Sequence, residues 1–266
     1  MTHISALYCY PIKSCAGHAL EAAVMTPRGI KHDREFMIVD ENGDFLTQRE
    51  YPTMALVRPE VTDTTLTLNA PDMPTLSIDI QKTGTPHSVV VWRSTCDAID
   101  QGNEVAIWLS TYFKTPCRLV RMGEQFVRHV NQDFAKRPDD QVSFADGYPF
   151  LLISEASLAD LNKRLSTPLP MNRFRPNIVV TECLPFAEDY WEQIKLGDVG
   201  FDVVKACARC TITTVDQSTA ETGKEPLKTL ATYRNNPDKG VLFGQNLLQH
   251  RNGTLSVGDK VTIIRQ

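Results

Sequence analysis

Two thiols stand three positions apart in Cys207-Ala208-Arg209-Cys210, and a β-branched run, Thr211-Ile212-Thr213-Thr214-Val215, follows them directly. Cysteines at this spacing serve as a redox disulfide, as half of a zinc site, or as one thiolate kept for a soft metal or a transferable sulfur. A structural zinc needs four ligands, commonly from two such pairs. The other cysteines, Cys9, Cys15, Cys96, Cys117 and Cys183, form no second pair, which leaves zinc only a distant His. A redox pair of the thioredoxin type opens a helix after a strand, whereas strand chemistry follows here. What remains is a thiolate that ligates a soft metal or carries sulfur, beside the plainer alternative of two packed, inert thiols.

Cations recur at strand ends. Tyr10-Pro11-Ile12-Lys13-Ser14 puts Lys13 and Ser14 on a turn after an apolar run, Asp33-Arg34 precedes another run, and Arg173-Phe174-Arg175-Pro176-Asn177 precedes a third. Lys and Arg with hydroxyl and amide neighbours suit a phosphate and a planar heterocycle. Singly, each is ordinary surface charge. Together with the thiolate they point to a phosphorylated cofactor carrying a soft metal.

Bulk properties narrow the class. The chain has 266 residues, 28 Lys+Arg against 32 Asp+Glu and a net charge of −4, which disfavours nucleic-acid binding. Seven irregularly spaced Cys in a chain of this length read as free thiols of a reducing compartment. No signal-peptide pattern and no membrane-length apolar run is visible, so a cytoplasmic protein is expected.

The elements that must position these residues are mostly short strands. Ile4–Tyr10, Thr64–Leu68, Leu76–Ile80, Ser88–Trp92 and Arg118–Met122 have strand patterns, and Asn42-Gly43 predicts a hairpin between 35–40 and 44–48. Val105, Trp108, Leu109 and Tyr112 mark a helix, with Asn103 as cap. Residues 123–147 are polar and aperiodic, a long crossing loop. Phe150–Ile153 then precedes a helix capped by Ser154, with Leu158, Leu161 and Leu165 on one face. Strands are expected at Asn177–Thr181, Val199–Lys205 and Thr211–Val215, a helix from Pro226 to Asn235, and a turn at Val257-Gly258-Asp259 within the tail. Strands run in groups rather than alternating with helices, so the class is β-dominated α+β with barrel-like packing in both halves. Trp92, Trp108 and Trp191 are expected in cores or domain interfaces, Arg49 in a surface salt bridge, and Cys15 and Cys207 as packed small hydrophobes.

Several motifs carry a resemblance. Tyr10-Pro11-Ile12-Lys13-Ser14-Cys15 resembles the opening of the MOSC N-terminal β-barrel domain. Phe174-Arg175-Pro176-Asn177, Ala206-Cys207-Ala208-Arg209-Cys210 and Phe243-Gly244-Gln245 resemble the MOSC domain that follows it. Residues 154–162 and Lys224-Glu225-Pro226-Leu227 are similar to the family of the mitochondrial amidoxime reducing component and its bacterial relatives. The likeness runs through nearly the whole chain, in order.

That resemblance implies a MOSC N-terminal domain over residues 1–122, then a MOSC β-barrel domain with peripheral helices over 123–266, the segment 123–147 crossing between them. It implies a molybdenum cofactor with Cys210 as metal ligand and catalytic centre. Lys13, Ser14 and Arg34 match positions that hold the pterin and its phosphate, and Arg175 and Asn177 match contacts on the other domain. Ala208 and Arg209 lie beside the metal, Asp146 and Gly147 match a loop closing on the phosphate, and Asn246 matches a cofactor contact. The implied activity is reduction of small N-hydroxylated compounds, such as hydroxylaminopurines and amidoximes, to the amine or amidine plus water. No C-x4-C-x2-C spacing is present, so electrons are expected from a separate ferredoxin- or flavin-type protein. The targeting and anchor segment of the mitochondrial members is not expected here. The alternative is a cofactor carrier or sulfur-delivery protein using Cys210 as a persulfide or cofactor-holding thiol.

Overall fold

Val199–Ala208 and Gly240–Gln249 are the longest strands, and they pair antiparallel as the spine of a nine-stranded sheet. The structure is a computed structural model and describes residues 1–266. From one edge the sheet runs Val261–Arg265, Gln193–Leu196, Val199–Ala208, Gly240–Gln249, Phe150–Ser154, Ile178–Thr181, His3–Cys9 and His18–Leu20, with Asn235–Asn236 paired to Gly240–Gln249. All neighbours are antiparallel except Phe150–Ser154 and Ile178–Thr181, whose parallel pairing needs a crossover. The helix Glu155–Asn162 lies in that crossover, and Ser154 caps it by accepting from Ser157 N.

This sheet curls so that its Val261–Arg265 edge comes back against the start of His3–Cys9, one strand in from the other edge. His3 bridges Lys260, Ile4 N donates to Asp259 O at 2.9 Å, and Val261 N donates to Thr2 O at 2.9 Å. The enclosed side is filled by large apolar residues, among them Phe150 and Phe201 edge to face at 5.4 Å. Gly244 is required on the spine: its φ is +84°, and a Cβ there would stand 2.7 Å from Ile153 Cγ1.

The N-terminal half adds a four-stranded sheet, ordered Phe36–Val39, Arg118–Met122, Ser94–Asp100, Pro86–Val91, and a three-stranded one of Arg58–Val61, Thr65–Asn69 and Leu76–Asp79. The helix Asn103–Phe113 buries Val105, Trp108 and Leu109 in the same core as Leu66, Leu68 and Phe36. Pairing does not follow chain order at the start: His3–Cys9 joins Ile178–Thr181, and Ala22–Thr26 joins Thr254–Ser256. The bend Tyr10–Ser14 then leaves the large sheet for the small one, where Lys13 N donates to Phe36 O at 2.8 Å. The molecule is β-dominated α+β, as expected.

Four local expectations differ. Thr211–Thr214 is a 3-10 turn, not a strand. Thr213 Oγ1 donates to Cys210 O at 2.9 Å and Thr214 Oγ1 to Thr211 O at 2.7 Å, so hydroxyls take up carbonyls that a strand would need. The helix after Pro226 covers only Leu227–Leu230, and Asn235–Asn236 is already a strand. Asn103 is not the cap of its helix. Gly102 is, while Asn103 Oδ1 accepts from Arg118. The second arm of the Asn42-Gly43 hairpin is reduced to a Val39–Phe45 bridge.

Candidate functional site

The bend Tyr10–Ser14, the turn His32–Glu35, the end of the crossing segment and the end of the strand Val199–Ala208 converge on a cavity of about 130 Å³. Every residue named above for the site lines it: Lys13, Ser14, Arg34, Asp146, Gly147, Arg175, Asn177, Ala208, Arg209, Cys210 and Asn246. Cys207, Tyr148, Leu151, Phe174, Ala145 and Ile212 complete the walls.

Backbone geometry is unusual here. Ser14, Arg34 and Arg175 have φ of 66°, 46° and 55°, a left-handed conformation uncommon for residues with a Cβ. Such geometry persists where surrounding contacts impose it, and it is concentrated at functional sites. Here Gln48 Nε2 donates to Ser14 O, Arg34 N to Tyr10 O, and Arg175 N to Asn172 O.

The Tyr10 ring organises two of the cations. The Arg34 and Arg175 guanidiniums lie 4.2 and 4.3 Å from its centroid, and its hydroxyl donates to Pro176 O at 3.1 Å. Their surroundings differ. Arg34 Nη1 bonds both oxygens of Asp33, at 2.8 and 2.6 Å, and Asn177 Oδ1 at 3.1 Å. Arg175 has only Gln217 Oε1 at 3.5 Å, and its Nη2 is buried without a partner. Burial, then repulsion from Arg34, pushes the Arg175 guanidinium down to about 10.

Lys13 is 4% exposed and donates to Phe144 O at 2.9 Å and to Asp146. Burial lowers its pKa, opposed by Asp146. The loop bearing Asp146 is pinned by Arg128, whose guanidinium donates to the carbonyls of Ser143, Ala145 and Asp146. Trp92 Nε1 donates to Asp146 Oδ1 at 3.0 Å, and the Arg49 guanidinium stacks 4.6 Å from the Trp92 ring. Trp92 is therefore a half-exposed neighbour of the cavity, and Arg49 packs on it instead of forming a salt bridge. Trp108 and Trp191 are buried as expected.

At the thiol pair, Cys207 ends in the strand and Cys210 follows it, capping the 3-10 turn. Both are half-buried. Arg209 Nη1 donates to Cys207 Sγ at 3.0 Å and Nη2 to Phe174 O at 2.6 Å, while its Nε has no partner. Cys207 thus lines a cavity and is not a packed hydrophobe. Cys15 is fully buried, and burial pushes its thiol up to about 12. Asn177 is committed to framework contacts with Arg34, Leu151 N and Tyr8 O. Asn246 Nδ2 donates to Lys205 O at 3.0 Å.

Sequence reasoning missed Tyr10, Arg128 and the Gln48–Gln217 pair, joined at 3.0 Å. Tyr10 stood inside a flagged motif. The others carry no signal in their neighbours, because Arg128 and Gln48 bond distant backbone and Gln217 bonds the distant Gln48 side chain.

The donor set fits a group that brings most of its own ligands. No three His, Cys, Asp or Glu side chains gather to hold a metal ion, so Cys210 would provide one bond and not a cage. The unpartnered Nη2 of Arg175 and Nε of Arg209 need acceptors, and a phosphorylated heterocycle supplies them.

The fold and cavity first define a class. Residues 1–116 match the MOSC N-terminal beta barrel domain and residues 139–262 the MOSC domain. The chain is 36% identical over 280 residues to mitochondrial amidoxime-reducing component 1 of Homo sapiens, covering 99% of this chain and 83% of that one. It is also 36% identical over 275 residues to mitochondrial amidoxime reducing component 2 of Bos taurus, covering 97% and 82%. Among solved structures, the YUAD protein of Bacillus subtilis aligns over 98% of this chain and 94% of its own, at a TM-score of 0.42 and 9% identity. The chain belongs to the family of the mitochondrial amidoxime-reducing components. No helix in it is long and apolar enough to cross a membrane.

Proposed function

We propose that this protein is a molybdenum cofactor-dependent reductase of N-hydroxylated small molecules, with residues 1–122 and 123–266 each supplying part of the cofactor cavity. The observation that carries the reading is the cavity itself: a half-buried Cys210 shares it with buried guanidinium N–H groups that lack acceptors. When bound, the cofactor supplies the two-electron redox chemistry that no side chain here provides.

The chain's own residues do the rest. Cys210 offers a soft thiolate ligand. Arg175 and Arg209 direct unpaired N–H groups at the phosphorylated part, with Ser14 beside them. Arg34 and Asn177 brace Arg175 through Tyr10 and the Arg175 carbonyl, to which Arg34 Nη2 donates at 3.3 Å. Lys13 and Arg128 fix the Asp146–Gly147 loop against the opening. Ala208 and Asn246 line the cavity and complete the contact surface.

The substrate would be an amidoxime or hydroxylaminopurine, reduced to the amidine or amine with loss of water. Electrons would come from a separate ferredoxin- or flavin-type protein, and the setting would be the cytoplasm. The test is metal and pterin analysis of freshly purified protein, followed by N–OH reduction with an artificial electron donor. Bound molybdenum and pterin with turnover are expected. Cofactor-free protein bearing a labile sulfur on Cys210, and no turnover, would favour the carrier or sulfur-delivery role instead.

A further inference from the structure

Arg49 is half-buried beside the thiol cavity, and its guanidinium meets no carboxylate or carbonyl, only the face of Trp92 at 4.6 Å. Its backbone N–H donates to Thr47 Oγ1 at 2.9 Å, and the preceding residue, Gln48, donates to the carbonyl of Ser14 in the cavity wall. Trp92 is 46% exposed at the tip of the hairpin Pro86–Val91 and Ser94–Asp100, with a φ of 57°. A left-handed backbone is an outlier for so bulky a side chain, and surrounding contacts must hold it there. Trp92 Nε1 donates to Asp146 Oδ1 at 3.0 Å, Phe45 packs edge-on at 5.2 Å, and Arg49 covers a face. One indole ring therefore separates the Arg49 guanidinium from the Asp146 wall.

The charge around this mouth is one-sided. Asp146 is the one carboxylate lining the thiol cavity and is taken by Lys13, while Arg34, Arg175 and Arg209 add three more cations. Arg49 extends that positive space outward. A guanidinium lying on an indole keeps its N–H edge free, which suits two oxygens of a phosphate, and a positive field favours a dianion. Under the proposed function Arg175 and Arg209 serve the cofactor from within the cavity, so Arg49 is left for what arrives from outside. Lys205 is a second cation without a carboxylate partner: its Nζ lies 4.3 Å from the Phe134 ring, which packs 6.3 Å from Tyr148 in the wall.

We propose that Arg49, presented on Trp92, binds the phosphate of a nucleotide substrate whose N-hydroxylated base enters the thiol cavity, so that the nucleotide is preferred over the nucleoside. The proposal rests on the reductase reading, and one arm of its test does not. In the first arm kcat/KM is measured with 6-hydroxylaminopurine riboside and its 5′-monophosphate, using an artificial electron donor. Wild-type protein should favour the monophosphate by about tenfold or more, and Arg49→Gln should bring the ratio near one, mainly by raising KM for the monophosphate. Molybdenum and pterin content should stay at the wild-type level. Lys205→Gln removes an equal charge without touching Trp92 and should keep most of the preference. In the second arm calorimetry compares adenosine with adenosine 5′-monophosphate, the two product amines, on freshly purified protein. The monophosphate should bind about tenfold tighter, and Arg49→Gln should erase the difference. No N–OH turnover together with Arg49-dependent nucleotide binding would remove the reductase reading and sustain the phosphate site. Equal binding of the two adenosines by wild-type protein, equal losses in the Arg49 and Lys205 variants, or loss of cofactor from Arg49→Gln overturns the proposal.

Discussion

On one side of the thiol cavity the cations are already neutralised: Lys13 by Asp146, Arg34 by Asp33. On the other, Arg175 and Arg209 reach only amide, sulfur and carbonyl acceptors and keep N–H groups unpaired. Both sides look alike in sequence, as Lys or Arg at a strand end. The difference shows that the same residue type does two jobs. Paired cations build the wall, and under the proposed function the unpaired ones take the cofactor's anion, which would remove their cost in stability.

Substitutions can break or sharpen this contrast. The largest effect is expected from Cys210→Ala, which should reduce N–OH turnover by about a thousandfold or more, because under the proposed function it removes the metal ligand and not a contact. Steady-state assay of metal-loaded protein measures it, and near-normal turnover would remove Cys210 from its assigned role.

Next comes a reversal of sign between the two sides. Arg175→Met should weaken cofactor retention by about tenfold to a hundredfold, an effect of about 1–3 kcal/mol for a charged hydrogen bond. It should also raise the melting temperature of cofactor-free protein, because an uncompensated buried charge is gone. Lys13→Met should lower that melting temperature, because Asp146 and Phe144 O lose their partner. Paired calorimetric scans with pterin analysis decide it. The same sign of stability change in both variants would erase the distinction between the walls.

The Lys13–Asp146 pair also predicts a pH dependence. The Asp146 side chain is 65% exposed, and although partial desolvation would raise its carboxyl, the Lys13 charge and the bonds from Lys13 and Trp92 outweigh this and hold it well below its ordinary 3.8. The pair's contribution is therefore complete above about pH 3.8 and is lost as pH falls below it. Asp146→Asn should flatten that part of the acid-unfolding profile, and an unchanged profile would show that the pair is thermodynamically silent.

How far the sequence reached depends on the range over which each residue acts. Period-two alternation located Thr65–Asn69 and Leu76–Asp79 closely, because a half-buried strand imprints its own two faces, and the β-branched run Ser88–Trp92 overlaps Pro86–Val91. The same reasoning failed at Thr211–Thr214, where β-branched residues use hydroxyl bonds to hold a turn. The residues that line the thiol cavity were reached through ordered motifs. Their division into paired and unpaired cations was reached only in part: Asp33 adjoins Arg34, but Lys13 meets Asp146 across 133 positions. Pairing of His3–Cys9 with the C-terminal sheet was likewise invisible in a chain read segment by segment.

The smallest predicted effects test the supports. Tyr10→Leu removes the ring shared by Arg34 and Arg175 and should cost about 1–2 kcal/mol of stability, with a several-fold loss of cofactor. Cys207→Ser keeps a polar acceptor for Arg209 and should change turnover by less than about threefold. A loss comparable to that of Cys210→Ala would make both thiols functional ligands.

X-ray absorption at the molybdenum edge, comparing wild-type protein with Cys210→Ser, asks most directly whether the thiolate at the mouth of this cavity is bonded to the metal. One sulfur neighbour fewer in the variant, replaced by a lighter atom, is the predicted result. An identical sulfur shell in the two proteins would contradict it.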